Sequence, residues 1–202
     1  MLNSVTEPVR RRLNAEDRRR QLVGIGLAML IETPIQDLSL DHVAVEAGIS
    51  RGLLFHYFPT KTDFYLACIS AAGRRILRNT APDAALPGTA QVRHMVTAMI
   101  EQIDRRRSFY LTLVHGSGVA DPRVSEVYDS VRSVSTERVM RALMLPEGSL
   151  HMVHAWWAYV EDRALSWSGV PAEARTEPLD VLVAHCESVL GVVLDVSAAS
   201  LA

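Results

Sequence analysis

The sequence predicts an all-α protein, and three observations carry that prediction. Apolar residues recur near a 3.6-residue period through most of the 202-residue chain. Glycine, proline and small capping residues fall between the periodic stretches. No segment alternates at period two as a half-buried strand would.

Each element can be justified in order. From Ala15 to Glu32, Leu22, Ile25, Met29 and Leu30 form an apolar stripe that Val23 and Leu27 widen. Asn14 is a suitable cap with Asp17 three residues on, and Thr33-Pro34 stops the helix because the residue before proline is pushed out of the helical region. A short helix follows from a Ser39 cap to about Glu46. Ala47-Gly48-Ile49 breaks it, since glycine accepts the positive φ of a sharp turn. Ser50 to Tyr57 reads as a second short helix, ended by Phe58-Pro59, and Thr60 can cap a longer one from Lys61 to about Arg78. Pro82, Pro87 and Gly88 mark a break in composition. Beyond it the pattern predicts helices near 89–106, 108–117, 122–144, 149–168 and 178–197, separated by Gly116 and Gly118, Asp121-Pro122, Pro146-Glu147-Gly148 and Gly169-Val170-Pro171.

Composition bounds the class. Apolar residues make up 49% and charged residues 22%, which suits a folded rather than a disordered chain. No apolar run approaches the roughly 18 residues of a membrane span. The arginines of Met1–Arg12 have no apolar stretch behind them, so no secretory signal is expected. Cys68 and Cys186 form no CxxC pair, which fits a reducing compartment and a cytoplasmic location. Net charge is −2, yet residues 1–61 hold eight Arg/Lys against seven Asp/Glu. Six of those cations fall in Arg10-Arg11-Arg12 and Arg18-Arg19-Arg20. A basic arm over residues 1–14 suits a polyanion, and it is equally compatible with a solvated tail.

The informative block is residues 39–58. Val43, Ala44 and Ala47 place small apolar groups on one side of the first short helix, where Ile49 and Leu54 can meet them. Two such helices joined by a glycine turn pack steeply and leave the second proud of the surface. In that pose the second helix fits a DNA major groove, its first residues against base edges. Arg51 has the fork for guanine, Ser50 can bind a base or phosphate, Gly52 permits close backbone approach, and Leu53 suits a thymine methyl. Tyr57 and Lys61, the chain's sole lysine, can grip phosphate. Taken singly, Arg51 and Lys61 are also compatible with hydrated surface charges.

Together these positions resemble the DNA-binding region of the TetR family of bacterial regulators. The likeness runs over roughly residues 15–66 through Val43-Ala44, Ala47-Gly48-Ile49-Ser50, Gly52, Phe58 and Lys61. It implies an N-terminal three-helix helix-turn-helix DNA-binding domain at 15–66 and a C-terminal helical dimerisation and ligand-binding domain at 67–202. It also implies that Ser39, Tyr57 and Lys61 hold phosphate, that Ser50, Arg51, Gly52 and Leu53 face the groove, and that His56 lies near the backbone, a packed or simply exposed His56 being equally compatible. The family usually has tyrosine where this chain has Phe55, so Phe55 is assigned to packing.

The remainder resembles that family in architecture alone. Leu179, Leu182, Val183, Cys186, Val189, Leu190, Val193 and Leu194 form a stripe that must be covered, by the chain's own helices or by a second copy. Val153, Trp156, Trp157, Val160 and Ala164 make a comparable face. A two-fold, four-helix homodimer interface from these two helices is the preferred reading, and it would set two reading helices on a pseudo-palindromic, double-stranded operator. Met95, Met99, Phe109, Tyr110, Val114, Tyr128, Met140, Trp157 and Trp167 are candidates to line a pocket for an unidentified apolar or amphipathic effector. Ordinary core packing is the competing account of each. Arg105-Arg106-Arg107 could attract an anion, though such runs more often complement a helix C-terminus.

His151 and His154 with Glu161 and Asp162 lack a clear third metal ligand, and neither cysteine has a redox partner, so no metal site or redox sensor is expected. Gly116-Ser117-Gly118 lacks the five-residue nucleophile-elbow pattern, and there is no phosphate-binding loop, dinucleotide fingerprint or HExxH. A small helical enzyme is therefore disfavoured, and no cofactor is expected. The expectation is a transcriptional regulator, most simply a repressor released by its effector, with an effector-free DNA-binding dimer as the alternative.

Overall fold

The computed structural model describes residues 14–30, 33, 37–115 and 121–200. Within them the chain forms α1 (Ala15–Met29), α2 (Leu40–Glu46), α3 (Arg51–Tyr57), α4 (Lys61–Asn79), α5 (Gly88–Arg105), α6 (Arg107–His115), α7 (Pro122–Ala142), α8 (Leu150–Ser168) and α9 (Leu179–Ser200). Single 3-10 turns at Glu147–Ser149 and Ala172–Ala174 precede α8 and α9. The architecture is all-helical, as the periodicity predicts. None of the described helices is long and apolar enough to cross a membrane. The arginines of residues 10–12, Pro34 and the Gly116–Gly118 segment lie outside the described residues.

Local chemistry sets the helix starts. Asn14 Oδ1 accepts from the Asp17 amide at 2.7 Å, Ser39 Oγ from His42 at 3.3 Å, and Ser50 Oγ from Leu53 at 3.2 Å. Each satisfies a backbone donor that the helix cannot. Thr60 and Asp63 cap α4 reciprocally, the Asp63 amide donating to Thr60 Oγ1 at 3.0 Å and the Thr60 amide to Asp63 Oδ2 at 3.2 Å. Between α2 and α3, Gly48 has φ of 65°, the conformation that the turn demands and that a Cβ would penalise.

α1 packs on α2 and α4, and α2 on α3, so α4 carries the first three helices. At the centre of that junction Phe64 is fully buried and meets Phe58 edge to face at 5.0 Å. Gly26 of α1 permits the close crossing, because a Cβ there would stand 2.6 Å from Phe64 Cζ and 2.7 Å from Cys68 Sγ. Further along, α4 packs on α7, α7 on α8, and α8 with α9 on α5. The buried apolar side chains form one cluster running from Leu22 to Leu190. The expected boundary at 66/67 therefore falls inside α4, which belongs to both parts.

One expectation needs correction. Val153, Trp156, Val160, Leu182, Val183, Cys186 and Leu190 were expected at a dimer interface, and all seven are buried within a single chain. Trp156 donates its indole N–H to the Cys186 carbonyl at 2.8 Å, which locks α8 to α9. The α9 stripe is covered by the chain's own helices, α5 and α8. Leu179, Val189 and Val193 are half-buried.

Candidate nucleic-acid interface

The α2–α3 corner leaves one limb outside. Val43 and Leu54 are fully buried and Ala44 and Ala47 nearly so, while Ile49 packs half-buried against them. These five side chains hold α3 by one face. The other face is open: Arg51, Gly52, Leu53 and His56 are exposed, Tyr57 is half-buried, and Lys61 is exposed in the first turn of α4. No Cβ at Gly52 would meet anything nearer than Ser50 Oγ at 4.0 Å, so the approach to α3 is clear.

Arg51 is held ready rather than committed. Its Nη1 lies 3.1 Å from Asp41 Oδ2, with the two side chains 66% and 60% exposed, and its guanidinium sits 5.4 Å from the Phe55 ring centroid. An ion pair that open contributes little, about 0–1 kcal/mol, so an incoming acceptor can displace Asp41 cheaply. Phe55 is half-buried against the core, and His56 meets Tyr57 edge to face at 5.6 Å. Ser39 and Ser50 accept caps through their hydroxyl oxygens, and each O–H remains able to donate.

The pocket candidates scatter. A cavity of about 20 Å³ lies between α4, α5, α6, α7 and α8, walled by Met99, Phe109, Tyr110 and Tyr128 among the predicted residues. That volume holds about one water. Met95 and Trp157 are buried in the core without lining it, and Met140 is half-buried elsewhere. Trp167 donates to the Glu177 carbonyl at 2.7 Å and lies under Arg175, 3.9 Å from the ring centroid. The Val114 side chain lies outside the described residues.

Sequence reasoning missed the cavity's polar wall. Glu161, nearly buried, accepts from the Tyr128 hydroxyl at 2.5 Å and pairs with Arg132 Nη2 at 2.6 Å. Arg132 also stacks over the Tyr128 ring at 4.6 Å. Burial works against the Arg132 charge, but Glu161 and Tyr128 together outweigh it and raise the guanidinium above its ordinary value. Burial and then Glu161 push the Tyr128 phenol up, so it stays a neutral donor. His154 instead lies 3.4 Å from the Thr136 hydroxyl, and the described residues contain no cluster of three metal-ligating side chains.

Burial pushes the Cys68 thiol up to about 12 and Cys186 up to about 11. The fold thus favours the neutral thiol, and the reactive thiolate is scarce at pH 8. Iodoacetamide at pH 8 should leave both cysteines unmodified in the native protein and label both in denaturant, read by mass spectrometry. Rapid native labelling of either would contradict the burial argument.

The corner coincides with a family signature. Residues 26–68 match the model of bacterial regulatory proteins of the tetR family. A crystal structure of a TetR-family transcriptional regulator from Streptomyces coelicolor superposes with a TM-score of 0.80 at 25% identity, covering 93% of this chain and 85% of that one. Residues 26–68 thus carry the helix-turn-helix signature of the TetR family. TetR proteins are transcription regulators and not enzymes. The HTH-type transcriptional activator FasR of Mycolicibacterium smegmatis is 22% identical over 144 residues, 68% of this chain. The match spans 64% of FasR's length, just under two thirds. The fatty acid degradation regulator FadR from Bacillus halodurans shares the fold, with a TM-score of 0.66 at 13% identity over 89% of this chain and 96% of that one.

Proposed function

We propose that this protein is a homodimeric repressor of the TetR family that binds a pseudo-palindromic operator through α3 and is released by a small apolar or amphipathic effector. The observation that carries the reading is the exposed first turn of α3, where Arg51, Gly52 and Leu53 stand clear of the core. Arg51 takes guanine bidentately, Ser50 a base or phosphate, and Leu53 a thymine methyl. Ser39, Tyr57 and Lys61 hold phosphates that fix the register, with His56 beside them. Residues 15–66 form the reading head and 67–202 the dimerising and effector-binding part, joined through α4.

The dimer uses the face that the monomer leaves bare. On α8 this face carries Ala155 and Asp162, with Tyr159 half-buried between them. On α9 it carries Val181, Ala184, His185, Ser188 and Val192, with Val181 50% and Val192 63% exposed. Tyr159 and His185 are joined across the two helices at 2.5 Å. Small residues with flanking valines let helices of a second copy approach closely.

Effector control works through α4. A ligand lowers operator affinity only if it binds the DNA-free spacing of the two heads better. A coupling of about 1–3 kcal/mol lowers affinity roughly 5–150-fold. The cavity's small volume favours a second reading, a DNA-binding dimer with a filled core and no effector. Thermal-shift screening separates the two, since a specific ligand raises stability by RT ln(1 + [L]/Kd).

Footprinting on DNA flanking the gene tests the reading. Two protected half-sites centred roughly one helical turn, 34–36 Å, apart are expected. Sedimentation should give a dimer, and Val192→Asp, exposed in the single chain, should give a folded monomer with a single weak half-site contact. A wild-type monomer at micromolar concentration would contradict the dimer.

A further inference from the structure

Three spaces in the fold adjoin one another. The internal cavity shares Ala72, Ile76 and Phe109 with a smaller chamber that Arg75, Gln102 and Arg106 complete. That chamber shares Leu27 and Arg75 with an open cleft of about 530 Å³ between α1 and α4. The cleft floor is apolar, with Val23, Leu27, Ala67 and Ala71, and its rim carries Arg19, Arg20, Arg74, Arg75 and Arg78 against the single carboxylate of Glu16. The series runs from a basic exterior to an apolar interior.

The arginines are poised for an anion. Among the described residues, Arg74, Arg75 and Arg78 form no ion pair, whereas Arg20 is paired with Asp17. Arg106, singled out in the sequence as part of an arginine run, turns inward and is half-buried beside Arg75. Burial and the Arg75 charge hold it below its ordinary value. Two cations at one constriction repel, and a bound anion would relieve both.

We propose that the effector is an amphiphile with a single anionic head, a carboxylate or phosphate monoester, held at Arg75 and Arg106 with its apolar tail in the cavity behind them. The inference rests on the effector-controlled reading above and names the ligand's chemistry. Glu161 at the cavity wall is already neutralised by Arg132. The far end therefore accepts a hydrocarbon and rejects a second anion. The space is nearly closed, so the tail must part α4 from α7, whose Gly73 and Val131 face each other there; a Cβ on Gly73 would lie 3.0 Å from Val131 Cγ2. Met99, an adaptable wall residue, yields space at low cost. Parting α4 from α7 moves the helix that carries the reading heads.

Calorimetry with four twelve-carbon probes below their micellar concentrations, plus inorganic phosphate, tests this on the full chain. Dodecanoate and dodecyl phosphate should bind, which of the two binds tighter identifying the head. Dodecanol, dodecanedioate and phosphate alone should bind at least about tenfold more weakly. The double variant Arg75→Gln/Arg106→Gln should weaken dodecanoate roughly tenfold while leaving dodecanol within about twofold. Equal binding of dodecanoate and dodecanol, equal losses for both in the variant, or no binding of either anion would overturn the proposal. Gel shifts distinguish the two levels. Release of flanking DNA by a neutral or cationic compound and not by dodecanoate overturns the ligand class but leaves effector control standing. Failure to bind flanking DNA at all overturns the regulatory reading itself.

Discussion

Glu161→Ala should be the most damaging single substitution in the helices beyond α4, costing about 3–5 kcal/mol of stability. Arg132 and Glu161 are only 17% and 9% exposed and meet at 2.6 Å. Removing the carboxylate strands a guanidinium whose Nε already lacks a partner, and it leaves the Tyr128 hydroxyl without its acceptor. The loss comes from desolvated charge rather than from lost attraction, because a buried pair as a whole adds little over an apolar equivalent. The double variant Glu161→Leu/Arg132→Met should therefore recover most of it. By thermal denaturation the single variant should melt roughly 10 °C lower, at about 2–4 °C per kcal/mol for a chain of this size. A single variant melting within about 2 °C of wild type would show that water, and not protein, surrounds the pair.

Phe64→Ala should rank second in stability and first in its reach to the reading head. The ring is fully buried, meets Phe58 at 82° between planes, and fills the space that Gly26 leaves on α1. Truncating such a phenylalanine costs about 3–5 kcal/mol, the transfer of the ring plus the cavity left behind. The cavity would open where α1, the end of α3 and the start of α4 meet, so the angle of α3 relative to α4 loses its wedge. Operator affinity should fall even at temperatures where the variant remains fully helical by circular dichroism. Unchanged affinity in the folded variant would mean that α2 and the glycine turn alone orient α3.

Local features of the fold were legible in the sequence because their causes are local. The caps at Asn14, Ser39, Ser50 and Thr60 and the left-handed turn at Gly48 each depend on residues within a few positions. The corner at 39–58 was legible for the same reason. Which surface covers an apolar stripe was not. The α9 stripe has the same periodicity whether α5 or a second copy lies on it, and burial of Leu182, Cys186 and Leu190 within one chain is a tertiary fact. The bare face escaped notice because Ala155, Ala184 and Ser188 are small and only mildly apolar. Three tryptophans within twelve positions suggested one aromatic pocket, yet helical geometry turns neighbours about 100° apart. Trp156 faces α9, Trp167 meets Arg175, and neither lines the cavity. The Glu161–Arg132 pair joins residues 29 positions apart on different helices, which no spacing rule could couple.

The central claim is that α3 lies in a major groove and reads bases through Arg51. The most direct measurement is base preference at each operator position, selected from a randomised library, for wild type, Arg51→Ala and Lys61→Ala. Arg51→Ala should lose discrimination worth about 1–3 kcal/mol at one position per half-site, whereas Lys61→Ala should weaken all sequences alike and reduce the salt slope by about one. Identical preferences in wild type and Arg51→Ala, at every position, would contradict the account.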